Sequence, residues 1–565
     1  MRRSWVLLLL GLLGAAVYSN ALSGAFLGDD STLIVQNPLV KNWRFIPQIF
    51  ISSYEGQGVY WRPLAIFSHA LEYPVWGLNP LGYHLTNSVL HVANSFLIYL
   101  LVSRLFGRPS WAFITSLLFL VHPIQTEEVT YISGRCGLLA AFFMLAGLIL
   151  YVEFRRGRGR EYYLASIIFF LLGLLSKESA VVFPLAVVFL DAVWLKARGA
   201  GLLRRIAPFM AILAAYFLWR GVLGVATANL SAVLPGLLPR LVTMAQVVFM
   251  WWGLLGVPAG LVLDRTTPLA APLRLLDVSL FTLFLLLVGG SIYFGRRSRL
   301  VPFAMCWFFI FLAPVLQIIP VTVQGALFTP EHFLYLPSAG FFLLLGSHYH
   351  IGALVLLGSG LALSYRGSRG RKIACGALVF ALVVSYAAVT VRRNVDWRDP
   401  RTLYSLTVRQ SPQSARAHVH LGLAQQARGD SEGAAQSFQE ALRLKPDYVL
   451  AHNNLGIALV HMGKDEDALA AFGEALRWNA GAAEPHNNIG YLMSKRGEWE
   501  LALKSYENAI HAEPYGVSAH NNLGTLFFKQ GDVVRAEAEW ERAVTLDPDY
   551  LPARENLARL RSGGM

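Results

Sequence analysis

The C-terminal part of the chain repeats itself at a fixed step, and that step leaves few folds open. His452-Asn453-Asn454-Leu455-Gly456 returns as His486-Asn487-Asn488-Ile489-Gly490 and His520-Asn521-Asn522-Leu523-Gly524, with a weaker first copy from His418 to Gly422. Each copy begins 34 residues after the one before, the period of a tetratricopeptide helix-turn-helix. A unit this small cannot bury its apolar face alone, so the copies must stack into an α-solenoid. Blocks 415–448, 449–482, 483–516 and 517–550 each place one glycine (Gly422, Gly456, Gly490, Gly524) where paired helices approach and another (Gly429, Gly463, Gly497, Gly531) at the turn between them. Ala434, Ala468, Ala502 and Ala536 are small contact positions, Phe438, Phe472, Tyr506 and Trp540 fill larger sockets, and Pro446, Pro514 and Pro548 end the second helices. Residues 551–565 read as a capping segment and 393–414 as a linker into the array.

What precedes the repeats has a different character. The 565 residues are 55% hydrophobic and 15% charged, with a mean hydropathy of +0.47, too apolar for an ordinary soluble enzyme. Apolar windows recur from 84–105 to 373–391, several short of the ~20 residues that cross a ~30 Å hydrocarbon core. Residues 1–392 are therefore expected to form a polytopic helical membrane domain of about 11 to 13 spans, least defined around 224–275 and 333–364. The fold class is all-α. A net charge of +13 does not point to nucleic acid, because the basic residues cluster between apolar runs at Arg155 to Arg160, Arg204-Arg205, Arg296 to Arg299 and Arg366 to Lys372. Such clusters mark cytoplasmic loops. With Arg2-Arg3 also inside, Trp5 to Ala21 is a first spanning helix and the segments 23–83, 122–135 and 321–332 face outward. The last helix then delivers the repeats to that same face. Cys136, Cys306 and Cys375 show no metal-ligand spacing.

The outward segments hold most of the polar residues that packing does not explain. Gly28-Asp29-Asp30-Ser31 stands just after the first helix, followed by Trp61-Arg62-Pro63-Leu64, by His84, Asn87 and His91 on one helical stripe, by His122-Pro123 with Glu127, Glu128 and Arg135, and by Glu331-His332. Ionisable groups at the ends of membrane helices are costly to place and tend to mark a site. Acids mixed with Arg and His suit a reaction that removes an acceptor proton while steadying an anionic leaving group. Sugar transfer from a polyprenyl phosphate, with its oxocarbenium-like transition state, is such a reaction. Hydrolysis or ion transport could use similar groups, and an acidic pair does not decide among them.

The order of these residues, continued through Ser176-Lys177-Glu178, Glu331 to Leu334-Tyr335-Leu336-Pro337-Ser338 and Arg393-Asn394 with Trp397 into a repeat array, resembles the transmembrane and tetratricopeptide-repeat containing O-mannosyltransferases and their bacterial relatives. The resemblance implies a GT-C type glycosyltransferase that inverts the sugar it transfers, mannose or a similar hexose, from a polyprenyl-phosphate donor to a protein Ser/Thr hydroxyl on the periplasmic or endoplasmic reticulum lumenal face. Carried over by position, Asp29 is the candidate base and Asp30 its partner or a metal ligand. Participation of a divalent metal stays open and no other cofactor is implied. Arg62, Arg135, Lys177 and His332 are candidates for the donor phosphate, with His91, His122, Glu127 and Glu331 shaping the pocket. Plainer roles compete: Arg62 as a loop anchor, His91 as a satisfied core histidine, Lys177-Glu178 as a local ion pair. Related chains usually carry an acid shortly after the Gly-Arg pair, where this one has Cys136-Gly137, and Glu-Arg where it has Glu331-His332. A histidine holds phosphate less firmly than a fixed guanidinium. A lipid or glycan acceptor, or a non-catalytic scaffold, also fits these groups.

Asn454, Asn488 and Asn522 recur one period apart and are expected to line the concave groove of the array. Amides there would donate to and accept from the backbone of an extended acceptor peptide.

Overall fold

The computed structural model describes residues 2–51, 60–195, 200–225, 236–268, 270, 273–294, 300–316, 322–323, 326–347 and 368–562. Arg296 to Arg299, Arg366 and the apolar stretch from 348 to 364 lie outside the described residues. Two compact units emerge, one of Met1–Leu27, Val59–Ala65 and Asn79–Arg398, the other of Gly28–Gly58, Ile66–Leu78 and Asp399–Met565.

The first unit is a packed set of apolar helices. Among the described residues six are long and apolar enough to cross a membrane: Arg3–Ala21, Pro80–Phe106, Ile132–Arg155, Gly201–Val222, Leu237–Gly256 and Gly376–Asp396. Shorter apolar helices occupy Pro109–Val121, Leu275–Ser291, Leu300–Val315 and Pro337–Ser347. Local sequence sets their ends. Asn79 Oδ1 accepts from Leu81 N at 3.1 Å to start Pro80–Phe106, and Gly107, at φ 65°, stops it. Small residues bring backbones together, as where a Cβ on Gly340 would come 2.6 Å from the Ala304 carbonyl oxygen. With no water to serve them, polar side chains bond across helices: Ser166 Oγ to Gly147 O at 2.8 Å, Trp307 Nε1 to Leu336 O at 2.9 Å, Thr390 Oγ1 to Val121 O at 2.6 Å.

Among the arginines expected to be cytoplasmic, Arg155, Arg158 and Arg205 are paired with acids. Arg155 and Arg205 both reach the fully buried Asp191, and Arg104 and Arg158 reach Glu153. A small sheet interrupts the helical architecture, with Thr266–Pro268 and Thr322–Val323 flanking Ala326–Phe328 antiparallel, Thr266 opposite Phe328 and Thr322 opposite Leu327.

The second unit holds the repeats as the helix pairs Ala415–Gln426 and Ser431–Leu444, Val449–His461 and Asp465–Trp478, Ala483–Arg496 and Trp499–Ala512, Val517–Lys529 and Val533–Leu546, closed by Leu551–Arg561. Glycine at the close approach is dictated by sterics: a Cβ on Gly422, Gly490 or Gly524 would sit 2.6, 2.7 or 2.8 Å from the ring of Phe438, Tyr506 or Trp540. Gly429, Gly463, Gly497 and Gly531 take φ values of 81°, 75°, 81° and 83° at the turns. The segment 393–414, expected as a linker, is mostly helix. Ser368–Asp396 runs past its start, and Asp399-Pro400 begins a further helix, Pro400–Gln410, with Asp399 Oδ2 accepting from Thr402 N at 2.9 Å.

Candidate active site

In the first unit the polar residues of the segments expected to face outward gather into two charge clusters. Arg62, one residue before the helix Pro63–Trp76, forks onto Glu178, with Nε to Oε2 at 2.9 Å and Nη2 to Oε1 at 2.6 Å. This is the bidentate geometry that a planar guanidinium favours. Beside it Lys177 Nζ meets Glu128 Oε1 at 3.2 Å. Lys177 is extended, at φ −158° and ψ 138°, so its side chain and that of Glu178 leave the backbone on opposite sides. The neighbours therefore bond to distant partners, and the local Lys177-Glu178 pair does not form.

Burial alone would lift the Glu178 carboxyl, but Arg62 holds it at about 2. The Glu178 side chain is 37% exposed, so water screens part of that attraction. Glu128 also answers a gap in the sequence. Its carboxylate occupies the space that a side chain at Gly137 would need, so the acid missing after Gly134-Arg135 is supplied from the neighbouring turn.

In the second cluster Arg265 and Arg393 each reach the buried Glu331 at 3.2 Å. His332 Nδ1 bonds Glu127 Oε1 at 2.5 Å while its backbone N–H donates to Glu127 Oε2 at 3.2 Å. Burial pushes Glu331 up to about 7, against the pull of Arg393. Sequence reasoning missed Arg265 altogether and used Arg393 only as a motif residue. An arginine flanked by apolar runs is the signal that would have found both.

Other candidates sit inside the helix bundle. Arg135 is 1% exposed, donates to Tyr83 O at 2.9 Å and reaches Asn87 Oδ1, lashing the helix Pro80–Phe106 to the turn before its own helix. His91, fully buried, bonds Tyr335 Oη at 2.7 Å and Leu120 O at 3.1 Å and packs against the rings of Tyr18 and Phe119. His122 is equally buried, and its Nδ1 accepts from Ile124 N at 3.1 Å, capping a turn.

Asp29 and Asp30 belong to the second unit. Gly28, at φ 46°, turns the chain into a π-helical turn, Ser31–Val35, which Asp30 directly precedes. Asp30 is fully buried and Asp29 exposed, and the Asp29 carbonyl accepts from Leu33 N at 2.9 Å and Thr32 Oγ1 at 3.0 Å. Single π turns are frequent at functional sites. Among the described residues no three His, Cys, Asp or Glu side chains come together as a metal-ligand set.

The repeat amides bond to one another. Asn488 Nδ2 donates to Asn453 Oδ1 at 2.9 Å, Asn522 to Asn487 at 3.0 Å and Asn556 to Asn521 at 3.1 Å, while Asn454 Nδ2 turns back to Leu450 O at 2.8 Å. The histidine of each motif bonds the carbonyl six residues earlier, at Pro412, Pro446, Ala480 and Pro514, over 2.9 to 3.4 Å. Of the three amides expected to line the groove, Asn488 and Asn522 thus stitch one repeat to the next, while Asn454 bonds within its own helix.

Comparison with known proteins agrees with this division. Residues 63–224 match the family model of dolichyl-phosphate-mannose-protein mannosyltransferase, and residues 427–463 and 489–550 match tetratricopeptide-repeat models. The protein O-mannosyl-transferase F38B6.6 of Caenorhabditis elegans is 27% identical over 78% of this chain and 62% of its own length. The protein O-mannosyl-transferases TMTC2 of Mus musculus and Homo sapiens are each 36% identical over 26% of this chain and 18% of theirs. The chain spans less than two thirds of each of these relatives. A segment similar to a mannosyltransferase model among membrane helices, followed by tetratricopeptide repeats, is the arrangement in which this chain is similar to these protein O-mannosyl-transferases.

Proposed function

We propose that the chain transfers a mannosyl residue, or a similar hexose, from a polyprenyl-phosphate donor to a Ser/Thr hydroxyl of a protein on the outer membrane face, with the repeats presenting the acceptor. The observation that carries this reading is the Arg62–Glu178 fork with Lys177–Glu128 beside it, four charged groups of which Glu128, Lys177 and Glu178 lie within the segment that matches the mannosyltransferase model and Arg62 directly precedes it. Asp29 takes the hydroxyl proton as the acceptor oxygen attacks the anomeric carbon. The bond from that carbon to the phosphate oxygen breaks, its electrons stay on the phosphate, and the configuration inverts. Arg62, held in orientation by Glu178, meets the charge developing on the phosphate together with Lys177. Asp29 is exposed where Asp30 is fully buried, so its carboxylate is the one of the pair that an acceptor hydroxyl can reach, which supports Asp29 as the base. Two carboxylates make an incomplete metal site, and each step here is carried by side chains.

The test is transfer of labelled mannose from polyprenyl-phosphate mannose to a Ser/Thr-rich acceptor protein by the full chain in proteoliposomes. Asp29→Asn should slow it by about 10²-fold or more. Label arriving in lipid or glycan would move the acceptor class. Unchanged transfer would refute Asp29 as the base, and no transfer by the unaltered chain would favour a scaffold.

A further inference from the structure

The segment that follows Asp29-Asp30 is bonded to the last repeat. Lys41 Nζ meets Asp547 Oδ2 at 2.5 Å, with only 7% and 8% of the two side chains exposed. Next to it Asn42 Nδ2 donates to Thr545 O at 2.9 Å, the Tyr73 hydroxyl donates to Asp549 Oδ2 at 2.6 Å, and the Phe45 and Tyr515 rings meet edge to face at 5.7 Å. All of these residues belong to the second unit. Three polar contacts converge on Thr545 to Asp549, the end of the helix Val533–Leu546 and the turn that follows it.

Both partners are prepared for the contact. Asn37 caps Pro38–Lys41 by accepting from Leu39 N at 2.9 Å, and Asn42 Oδ1 accepts from Arg44 N at 3.1 Å, so two Asx caps fix the backbone on either side of Lys41. Across the joint, Asp547 Oδ1 accepts from Asp549 N at 3.1 Å, which leaves Oδ2 for the lysine. One period earlier the position of Asp547 is Glu513, before that Asn479, and first Lys445. The repeat consensus does not ask for aspartate there. A buried ion pair adds little net stability over an apolar pair, but removing one partner strands a charge away from water, so such a pair selects one arrangement against others.

We infer that Lys41 and Asp547 form a clamp that docks the loop bearing Asp29 and Asp30 onto the fourth repeat, so that an acceptor held by the array is presented at a fixed distance from the acid pair. Lys41 is a positioning residue, since it acts through the repeat turn. The acceptor role of the clamp rests on the transferase reading above, whereas the docking itself does not.

Two measurements on the full chain in membranes separate these layers. A cysteine pair placed by Asn42→Cys and Thr545→Cys should form a crosslink under mild oxidation, and Lys41→Glu should suppress it. A pair that never crosslinks overturns the docking, whatever the activity. In the transfer assay, Lys41→Glu or Asp547→Lys should raise KM for a long protein acceptor about tenfold while kcat for a short Ser/Thr peptide stays within about twofold. Lys41→Arg and the reversed pair Lys41→Asp with Asp547→Lys should recover most of the loss. Unchanged KM in the single variants, or a reversed pair no better than either single, overturns the positioning role. An unaltered chain that crosslinks yet transfers no sugar refutes the transferase reading and leaves the docking standing.

Discussion

Glu331 illustrates how a single buried group ties chemistry to pH. Its carboxyl is raised from 4.5 to about 7 by burial, so between those values the folded chain binds the proton that the unfolded chain has released. Stability then falls as pH rises through that window and levels off above about 7. Glu331→Gln should flatten the dependence, read as the melting temperature of the detergent-solubilised chain across pH 4.5 to 7. Glu178 behaves oppositely. Its carboxyl is held at about 2, so what the Arg62 fork contributes is present above the ordinary carboxylate range and is lost only as pH falls toward 2. The chemical types at these positions were legible in the sequence, but their partners were not. Arg62 finds Glu178 across 116 residues, and no local spacing rule reports a pairing that depends on where two helix ends are brought by the packing of others.

At the scale of elements, the repeats were legible nearly helix by helix, because side-chain volume sets their packing. The clash that excludes a side chain at Gly490 gives a prediction with a built-in control. Gly490→Val would drive its Cβ to within 2.7 Å of the Tyr506 ring and should cost about 1–3 kcal/mol. Gly473 lies inside the exposed face of Asp465–Trp478 with nothing within 4 Å of its Cβ position. Gly473→Ala should therefore add up to about 1 kcal/mol through helix propensity. Thermal unfolding followed by circular dichroism should move in opposite directions for the two variants. The asparagines were harder to read. An amide on a first helix can face either the groove or the next repeat, and the 34-residue spacing is the same for both. The bonds from Asn488 to Asn453 and from Asn522 to Asn487 show the inter-repeat use. Likewise Asp399-Pro400 was a helix start within a segment read as linker, because the extra helix lies outside the 34-residue register.

For the molecule as a whole, the Lys41–Asp547 contact constrains membrane topology. Both residues must lie on one side, so the chain makes an even number of crossings between Leu78 and Arg398. Adding the first helix gives an odd total, which within the expected range means about eleven or thirteen spans and not twelve. An N-terminal tag should accordingly be shielded from protease in sealed vesicles whenever the repeats are digested, and the reverse in inverted ones. A tag and repeats cleaved from the same side would refute the parity. The region around 224–275 left this count unsettled in the sequence, because short apolar helices do not announce whether they cross.

Solenoids ordinarily grow or shrink by whole units without penalty, since each repeat touches only its neighbours. Here the turn at Asp547 is engaged by a loop that is fixed at the first membrane helix. The number of repeats thereby becomes a measured length, and duplicating residues 483–516 would leave a well-folded array whose final turn no longer arrives at Lys41. Variation among related chains that keep this joint should fall beyond the fourth repeat or inside the helices, and not between the first repeat and the fourth.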